Sequence, residues 1–368
     1  MREGMSRNLC LTAAMVAALT PASSTLDAQA QADPLSTRSV FMTGVNLASA
    51  GFGPWSGPHG PRGRHGVQYV YPSDAYVSDY KSPTYFLSKG MNTFRLSFRW
   101  ERIQPKLMQR LDPDELERLV RTTNSLTQLG AWVILDLHNY ARYGGVPIGA
   151  KGVEIELFAD AWWRLATVFR QNRRVLFGIM NEPHDMSTEV WVDAANAAIQ
   201  AIRKAQAENV ILVPGNGFSN SHLWYYDTYG TPNAAALQNI RDPLDRVVFE
   251  AHLYLDSNAS GQSDTCVSET VGVERLEPFA NWLRERRKVG FIGEFGTGTG
   301  RVCLAALSAM AKYMLDNRDL FLGWTYWAAG PWWPREYFML IEPGETDAPQ
   351  MMALMPHLQP ARKATASP

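Results

Sequence analysis

The chain has 368 residues, of which 19% are charged and 46% are hydrophobic. Its 35 Lys and Arg nearly balance its 36 Asp and Glu, which argues against nucleic acid or an anionic membrane as the main partner, because both attract a basic excess. The composition is that of a folding protein and not of a disordered one, and the length allows one large domain or two ordinary ones.

The first 30 residues are typical of a secretory signal peptide. Arg2 and Arg7 form a basic start, residues 9–19 form an apolar run too short to span a bilayer, and Ala28-Gln29-Ala30 is a small-x-small cleavage pattern. A disordered or membrane-anchoring N-terminus is the alternative. We therefore expect residues 1–30 to be removed, leaving a secreted or periplasmic protein that has no membrane partner and is a monomer.

Export also changes what is expected of the cysteines. Cys10 lies in the apolar run and leaves with it, whereas Cys266 and Cys303 remain. An even pair in an oxidising compartment predicts a disulfide, with two buried free thiols as the alternative. No Cys/His spacing indicates a zinc site, and we expect neither a metal nor a cofactor.

Short apolar runs, each ending in polar or glycine residues, recur along the rest of the chain. Near-continuous apolar runs rich in β-branched and aromatic residues are typical of strands buried on both faces of a parallel sheet. Eight strands are predicted, over residues 40–47, 92–98, 131–138, 175–182, 210–214, 247–254, 289–294 and 321–327.

Helical spacing appears between many of these runs. Asp112 is a plausible N-cap with Pro113 at the first helical position, and Ser187 is a second plausible cap. The predicted helices cover residues 112–130, 155–171, 187–207, 269–287 and 304–317.

The alternation of strands and helices predicts an α/β fold, a single-domain (β/α)8 TIM barrel over residues 39–355, with a lead-in at 31–38 and a tail at 356–368. A doubly wound open sheet is the alternative. The absence from the sequence of both G-x-G-x-x-G after the first strand and G-x-x-x-x-G-K-[ST] weakens its nucleotide-binding version. The long loop at 51–83 would lie on the catalytic face, with His59 and His65 as solvated surface residues.

Polar residues cluster at the ends of the predicted strands, which meet at one mouth of a barrel. A strand-end Glu is usually a solvated cap, but the joint pattern over several strands indicates an active site. Arg95 lies within the second strand, and the other residues are His138, Asn139, Tyr140, Asn181, Glu182, Asn216, Glu250, His252, Tyr254, Glu294 and Trp327.

Two of these residues suggest a reaction. Glu182 ends the fourth strand and Glu294 the seventh, and these strands lie nearly opposite each other in an eight-strand ring. Two carboxylates about 5–5.5 Å apart suit retaining glycoside hydrolysis, in which one attacks the anomeric carbon and the other protonates the leaving oxygen. Arg95 could keep the nucleophile ionised, and Asn181 is a donor suited to a sugar 2-hydroxyl.

The motifs Asn181-Glu182-Pro183, His252-x-Tyr254 and Gly293-Glu294-Phe295-Gly296, in this order, resemble those of glycoside hydrolase family 5, the cellulase family. The resemblance extends over residues 40–354. Arg95, His138 and Trp327 match further family positions, and Gly44-Val45-Asn46-Leu47, Val213-Pro214-Gly215-Asn216 and the segment 251–257, with a Cys in the next loop, resemble its endoglucanase branch.

The resemblance implies retaining endo-hydrolysis of a β-1,4-glucan without a cofactor. It makes Glu182 the acid/base and Glu294 the nucleophile, and it makes Trp327 the sugar platform. The supporting residues that it implies are Arg95, His138, Asn181, His252 and Tyr254. The long first loop and the lack of a carbohydrate-binding module depart from common cellulases and leave the preferred polymer open.

Three alternatives follow. A β-mannanase or xyloglucanase would use the same scaffold, because loops set specificity. An inactive secreted carbohydrate-binding protein is a different class, disfavoured because both Glu182 and Glu294 are present. A barrel aldolase or metal hydrolase would need a Lys or a ligand cluster at strand ends, and no Lys ends a predicted strand.

The 12 tryptophans divide into two expected groups. Trp132, Trp162, Trp163, Trp191 and Trp282 lie in predicted strands and helices and are expected to pack, with Trp100 and Trp324 left open. The others lie in segments that open on the catalytic face and suit stacking on sugars. These five tryptophans and three asparagines are the predicted substrate contacts. They are Trp327, Trp55, Trp224, Trp332, Trp333, Asn46, Asn139 and Asn216.

Overall fold

The computed structural model of the chain describes residues 1, 33–35, 40–48, 51, 82–330 and 333–358. Within them, eight parallel strands form a closed barrel in which each strand pairs with its neighbours in the sequence and the last pairs with the first. The strands are β1 (Met42–Leu47), β2 (Thr93–Phe98), β3 (Trp132–Leu137), β4 (Val175–Gly178), β5 (Ile211–Pro214), β6 (Val247–Tyr254), β7 (Gly290–Gly296) and β8 (Phe321–Ala329). The predicted (β/α)8 barrel is confirmed.

Helices cover the outside of the barrel. The described helices are α1 (Ser82–Ser88), α2 (Trp100–Ile103), α3 (Pro113–Gln128), α4 (Ile155–Phe169), α5 (Thr188–Lys204), α6 (Asn233–Ala236), α7 (Val271–Arg286), α8 (Arg301–Asp316) and α9 (Pro349–Leu354). A small antiparallel hairpin, Arg142–Tyr143 with Val146–Pro147, follows β3. The five predicted helices are present, and sequence patterning missed α1, α2, α6 and α9, which are too short to show a helical period.

Local signals explain where the longer helices begin. Asp112 accepts hydrogen bonds from the backbone N–H groups of Asp114 and Glu115, and Ser187 accepts one from Val190. Both caps satisfy backbone donors that the first turn of a helix leaves unpaired. The two N-cap predictions are therefore confirmed.

Three buried indoles join helices to the barrel or to a neighbouring helix. Trp162 of α4 donates to the carbonyl of Ile179, just beyond β4, and Trp191 of α5 donates to the carbonyl of Pro214 at the end of β5. Trp282 of α7 donates to the carbonyl of Ala234. These bonds satisfy buried polar groups where the ring also fills the space between helix and barrel.

The barrel interior changes in polarity along its axis. On β3, Trp132 and Ile134 belong to an apolar cluster that fills the amino-terminal end of the barrel. Asp136 follows on the same face because side chains alternate along a strand, and His138 lies just beyond the strand. The apolar plug thus forms the floor of a polar cavity at the carboxyl-terminal end.

A disulfide joins Cys266, in the loop after β6, to Cys303 in α8, with a Cα–Cα distance of 5.2 Å. The sulfur of Cys266 lies 2.8 Å from the hydroxyl of Thr297, which follows β7. The predicted disulfide is confirmed, and it ties together loops on the catalytic side of the barrel.

The proposed signal peptide and the loop that carries Trp55, His59 and His65 lie outside the described residues. Asp33, in the lead-in, forms an ion pair with Arg246. At the other end, His357 lies 2.8 Å from the hydroxyl of Ser308 on α8, so contacts with the barrel continue past residue 355.

Within the described part of the chain, none of the helices combines the length and apolar character needed to cross a membrane.

Candidate active site

Arg95, on β2, lies fully buried at the centre of the polar cavity. One guanidinium nitrogen donates to Glu294 Oε1 at 2.8 Å and to Asn46 Oδ1 at 3.0 Å, and the other donates to Asn181 Oδ1 at 2.8 Å. Arg95 therefore connects residues from β1 and β7 with Asn181, which follows β4.

Two further carboxylates lie against Arg95. Asp136 Oδ2 is 3.0 Å from its guanidinium and Glu250 Oε1 is 3.1 Å away. Burial disfavours the guanidinium charge, but the three neighbouring carboxylates outweigh it and raise the pKa of Arg95. Burial also opposes the charge of Asp136, but Arg95 and His138 outweigh it and lower the pKa of this carboxyl. Arg95 is a permanent cation beneath the site.

Glu294, on β7, is held at both carboxylate oxygens. Arg95 donates to Oε1, and the hydroxyl of Tyr254 donates to Oε2 at 2.9 Å. Burial and the charge of Glu294 raise the pKa of Tyr254 well above its usual range, so its hydroxyl remains a donor. Both contacts fix the direction in which the carboxylate faces the cavity.

Glu182 lies just beyond β4 and is tied to the seventh strand through a histidine. His252 Nδ1 lies 2.8 Å from Glu182 Oε1 and 3.7 Å from Glu294 Oε2, and its Nε2 lies 3.2 Å from Glu250 Oε1. Burial disfavours the imidazolium, but the charge of Glu294 and hydrogen bonds to Glu182 and Glu250 outweigh it and raise the pKa of His252 to about 10. At neutral pH the ring is a cation that can donate from both nitrogens.

The two carboxylates lie close together. One oxygen of Glu182, one oxygen of Glu294 and a ring nitrogen of His252 all lie within 4.8 Å of one another. In retaining glycosidases the two carboxyl groups are about 5–5.5 Å apart, whereas inverting enzymes keep them about 6.5–9.5 Å apart to admit a water. A nearest-oxygen distance below 4.8 Å is shorter than the spacing of inverting enzymes and is compatible with the retaining geometry.

A glycine allows this convergence. The pairing of β6 with β7 shifts register at Ala251 and His252, so that Ala251 pairs with Ile292 and His252 with Glu294, and Gly293 lies between these pairs. A Cβ atom at Gly293 would lie 1.9 Å from Glu250 Oε1. The register shift brings His252 beside Glu294, and glycine leaves room for the Glu250 carboxylate.

His138 and Trp327 form another wall of the cavity. His138 Nδ1 lies 2.7 Å from Asp136 Oδ2, which assigns the proton to Nδ1 and leaves Nε2 as an acceptor for the amide of Asn181 at 3.4 Å. The Trp327 ring is nearly parallel to that of His138, with centroids 5.8 Å apart. Trp327 Nε1 donates to the hydroxyl of Tyr337 at 3.0 Å, which fixes the indole plane.

Comparison with known proteins identifies this arrangement. Residues 74–330 match the family model described as cellulase, glycosyl hydrolase family 5. The endo-β-1,4-glucanase B of Emericella nidulans is 38% identical over 302 residues, which is 82% of this chain and 85% of that protein. The chain belongs to glycosyl hydrolase family 5.

Solved structures agree with this assignment. An endo-β-1,4-glucanase of Xanthomonas axonopodis pv. citri carrying three substitutions is 43% identical with a TM-score of 0.81, covering 87% of this chain and 99% of that chain. XacCel5A in complex with cellopentaose is 42% identical with a TM-score of 0.81, covering 86% and 99%. The family-5 fold thus extends over nearly all of the described residues.

The structure brings together all seven predicted catalytic and supporting residues of this family-5 barrel around the Arg95 cavity. They are Glu182, Glu294, Arg95, His138, Asn181, His252 and Tyr254. Trp327 lies at the same cavity, with 7% of its surface exposed.

The amides of the three asparagines predicted to contact substrate are hydrogen-bonded within the protein. Asn46 donates to backbone carbonyls of β7 and β8 and accepts from Arg95. Asn139 donates to the Glu101 carboxylate and accepts from the backbone of Trp100. Asn216 donates to the carbonyl of Met186. All three are buried with both ends of the amide hydrogen-bonded within the protein, so they brace the site, and their contact with substrate stays a prediction.

The predicted sugar platform at Trp224 is wrong. Its ring is completely buried against Phe279 and Trp282 of α7, because the loop after β5 folds back over that helix. Trp333 is also buried, stacks on Tyr337 and meets Trp327 edge-on at 5.8 Å, so it packs against the Trp327 ring. Trp55 and Trp332 lie outside the described residues.

The expected packing tryptophans have one exception. Trp163 is 40% exposed on the outer face of α4, beside Arg164. Trp132, Trp162, Trp191 and Trp282 are buried as predicted, and Trp100 and Trp324, which the sequence left open, are buried too.

Sequence reasoning missed Asp136 and Tyr337 at the cavity and gave no individual role to Glu250 and Tyr140. Asp136 alternates with His138 and so shares its direction, a signal that could have identified it. Glu250 was recognised on the inner face of β6 without a role. Tyr140 lies 3.3 Å from His138 Nε2, and Tyr337 lies in the segment after β8. No local pattern marks Tyr337, because its contact with Trp327 depends on how that segment folds back.

Proposed function

We propose that this chain is a secreted retaining endo-β-1,4-glucanase that hydrolyses internal bonds of cellulose or mixed-linkage β-glucan. The observation that carries the proposal is the approach of Glu182 and Glu294 to within 4.8 Å inside a family-5 barrel. The glucanase names of the relatives and the cellopentaose complex of a homologous structure support the choice of polymer.

In the first step, Glu294 attacks the anomeric carbon while Glu182 donates a proton to the departing glycosidic oxygen. The bond to the leaving sugar breaks as the glycosyl–Glu294 ester forms, with charge spread over an oxocarbenium-like transition state. Arg95 and Tyr254 hold the attacking carboxylate in line by donating to its two oxygens. This positioning lowers the entropic cost of attack.

In the second step, Glu182 removes a proton from a water molecule, which attacks the anomeric carbon and releases Glu294. His252 donates to Glu182 Oε1 and orients the carboxyl in both steps. Asn181 is held by Arg95 through its amide oxygen, and its amide nitrogen supplies a donor for the sugar 2-hydroxyl. Trp327 presents its face to the sugar that becomes bound to the enzyme.

The deciding experiment is a time course of products from cellulose, carboxymethylcellulose, barley β-glucan, xyloglucan and mannan, with the new anomer followed by proton NMR. Early release of mixed oligosaccharides from β-glucan with β configuration is expected. Faster turnover of mannan or xyloglucan would reassign the substrate, and an α product would overturn the retaining mechanism. Sugar binding without release of reducing ends would identify an inactive binding protein.

The N-terminal sequence supports secretion, with residues 1–30 acting as the signal peptide. Expression of the full chain in a bacterial host, followed by N-terminal sequencing of the exported protein, should give a mature start after Ala30. Retention of the segment on membrane-bound protein would instead show that it acts as an anchor.

A further inference from the structure

Glu250 is a buried carboxylate at the active site that has no role in the mechanism above. It lies on β6, two residues before His252, and is completely buried. Its Oε1 atom carries both of its contacts, at 3.1 Å from a guanidinium nitrogen of Arg95 and 3.2 Å from His252 Nε2. Within the described residues, its buried Oε2 atom has no hydrogen-bond partner. Glu250 therefore joins the central cation of the site to the histidine beside the acid/base.

The line of contacts continues on the other side of the His252 ring. His252 Nδ1 lies 2.8 Å from Glu182 Oε1. Arg95, Glu250, His252 and Glu182 thus form a line of alternating positive and negative groups. It begins at a side chain with no exposed surface and ends at Glu182, whose side chain is 16% exposed. The line connects buried charge to the group that exchanges protons in the proposed reaction.

The backbone beside the nucleophile leaves space for the contact between Glu250 and His252. A Cβ atom at Gly293 would lie 1.9 Å from Glu250 Oε1 and 2.9 Å from His252 Nε2. Real Cβ atoms do not approach other atoms this closely, so a side chain at position 293 would displace both partners of the contact. The glycine before Glu294 therefore preserves it.

The two contacts of His252 determine where its protons lie. A carboxylate oxygen only accepts, so the contact with Glu250 Oε1 places a proton on Nε2. In a neutral ring, Nδ1 would then be an acceptor and would draw the proton of Glu182 away from the glycosidic oxygen. A doubly protonated ring donates from Nδ1 instead, so the Glu182 carboxyl keeps its own proton for the substrate.

The charged groups around His252 favour the doubly protonated ring. Burial disfavours the imidazolium, but Glu294, Glu182 and Glu250 outweigh burial and raise the pKa of His252 to about 10. Arg95 is the opposing cation, and its own carboxylate contacts offset it. The carboxylates that face the ring come from four places in the barrel, namely Glu182 after β4, Glu250 on β6, Glu294 on β7 and, at longer range, Asp136 on β3.

The other titratable groups near Glu182 are neutral. Burial raises the pKa of Tyr140 and of Tyr254 above the usual range of a phenol. Burial also lowers the pKa of His184, although Asp185 partly offsets it. Between pH 7 and 10, His252 is therefore the neighbour of Glu182 whose charge changes.

We propose that Glu250 is a positioning residue that acts through His252 to keep the proton of the acid/base Glu182 available to substrate. The inference rests on the proposed function, because Glu182 needs this proton only if it is the acid of the first step. Glu250 accepts from Nε2, and its negative charge holds the second ring proton on Nδ1. It is completely buried, and it acts through the histidine without exchanging protons with substrate.

The test removes the charge of Glu250 and keeps its shape. In Glu250→Gln the amide oxygen can replace Oε1 and accept from both Arg95 and His252, with the amide nitrogen at the position of Oε2. Without the negative charge, the pair formed by Glu182 and His252 loses a proton more easily. We expect the alkaline midpoint of the kcat/KM profile for cellopentaose to move at least about one pH unit towards lower pH.

Asp136 provides a matched control. It is also completely buried and lies 3.0 Å from the guanidinium of Arg95, but its hydrogen bond is to His138 and not to His252. Asp136→Asn removes a charge from the same guanidinium, and the alkaline midpoint should move by less than about half a pH unit.

Glu250→Asp separates the charge of the side chain from its shape. The shorter carboxylate disturbs packing more than glutamine does, but it keeps the negative charge. The alkaline midpoint should stay within about half a pH unit of the wild-type value, even where the rate falls.

Nitrogen NMR of histidine-labelled protein gives a readout that does not depend on turnover. At pH 8 both ring nitrogens of His252 should carry protons in the wild-type protein. In Glu250→Gln, Nδ1 should lose its proton at a pH that is lower by at least about one unit. If the glutamine variant does not fold, the wild-type spectrum and the Glu250→Asp profile still test the proposal.

Three results would overturn this role of Glu250. They are an unchanged alkaline midpoint in folded Glu250→Gln, a midpoint in Glu250→Asp that moves by about one pH unit or more, and a wild-type His252 without a proton on Nδ1 at pH 8. Equal shifts in Glu250→Gln and Asp136→Asn would also overturn it, because the effect would then pass through Arg95. Failure of the unaltered protein to cleave cellopentaose would instead contradict the proposed function.

Discussion

At the scale of single residues, the main feature of the site is a cluster of charged side chains buried away from water. Arg95 is completely buried among Asp136, Glu250 and Glu294, and a lone buried guanidinium would be very costly. His252 adds a second positive charge next to Glu182 and Glu250. The cluster is stable because its charges are paired and hydrogen-bonded, and the same pairing fixes the carboxylates that the proposed reaction uses.

Replacing Glu182 should separate its role from that of Glu294. Glu182→Ala should slow the hydrolysis of glucans strongly, by about 10²–10⁴-fold, because unactivated leaving oxygens need a proton. Formation of the glycosyl–enzyme from an aryl cellobioside with a good leaving group should change far less, which a pre-steady-state burst of the phenol would report.

Glu294→Gln is the control for that comparison. It keeps the shape of the side chain and removes the nucleophile, so both substrates should lose turnover and the burst together. Equal losses for both substrates in Glu182→Ala would contradict its assignment as the acid.

His252 should make the protein less stable in alkali. Its pKa is raised from 6.5 to about 10 on folding, so the folded state binds the proton more tightly than the unfolded state. This contribution is fully present below pH 6.5 and is lost as pH rises towards 10. The free energy of unfolding in urea should fall by up to about 1.4 kcal/mol per pH unit in this range.

The comparison variant is His252→Asn, whose slope of stability against pH between 7 and 10 should be much smaller. The absolute stability of this variant is not the readout, because removal of the cation takes the His252 partner from Glu182 and leaves Glu250 paired with Arg95 alone. Identical slopes in the two proteins would show that His252 does not hold the extra proton.

At the scale of secondary-structure elements, helix packing and catalysis use different tryptophans. Trp191 of α5 is completely buried and bonded to Pro214, whereas Trp163 of α4 is 40% exposed. The sequence places both on helices, and their contrast depends on which face of each helix meets the barrel. Neither lies at the cavity of the two glutamates.

Alanine at Trp191 should therefore act on stability. A loss of about 3–5 kcal/mol in the free energy of unfolding is expected from the cavity and the lost hydrogen bond. Trp163→Ala should cost less than about 1 kcal/mol, because its removal leaves no buried cavity. Urea unfolding followed by circular dichroism would measure both, and similar costs for the two variants would contradict the packing described here.

At the scale of the whole molecule, the closed barrel and the Cys266–Cys303 bridge hold the catalytic face together. The bridge closes a segment with a sequence separation of 37 residues between the loop after β6 and α8. In the loop-entropy model, closing such a segment contributes about 4 kcal/mol of stability. Its sulfur contact with Thr297 extends this restraint to the end of the strand that carries Glu294.

Removing the bridge should lower the free energy of unfolding by about 3–4 kcal/mol. The double variant Cys266→Ala, Cys303→Ala and the wild-type protein unfolded in dithiothreitol should agree within about 1 kcal/mol. Two titratable thiols in unreduced mature protein would contradict the bridge.

The order of strands and helices, the two N-caps and the positions of Glu182 and Glu294 at strand ends could all be predicted from the sequence. These features depend on neighbours within a few residues, because apolar runs, alternation and capping are local. A parallel barrel then brings all strand ends to one mouth, so the convergence of the two proposed catalytic carboxylates could be expected from chain order.

The tertiary structure decided which polar and aromatic groups reach the cavity. Asn46 and Asn216 lie near strand ends like Asn181, but their amide nitrogens donate to backbone carbonyls of other elements. Trp224 and Phe218 follow the same strand, but one is buried under α7 and the other is exposed near Glu182. The physical reason is that a side chain's partner across the barrel depends on strand register, bulges and loop folding. The residues next to it in the sequence do not determine these features.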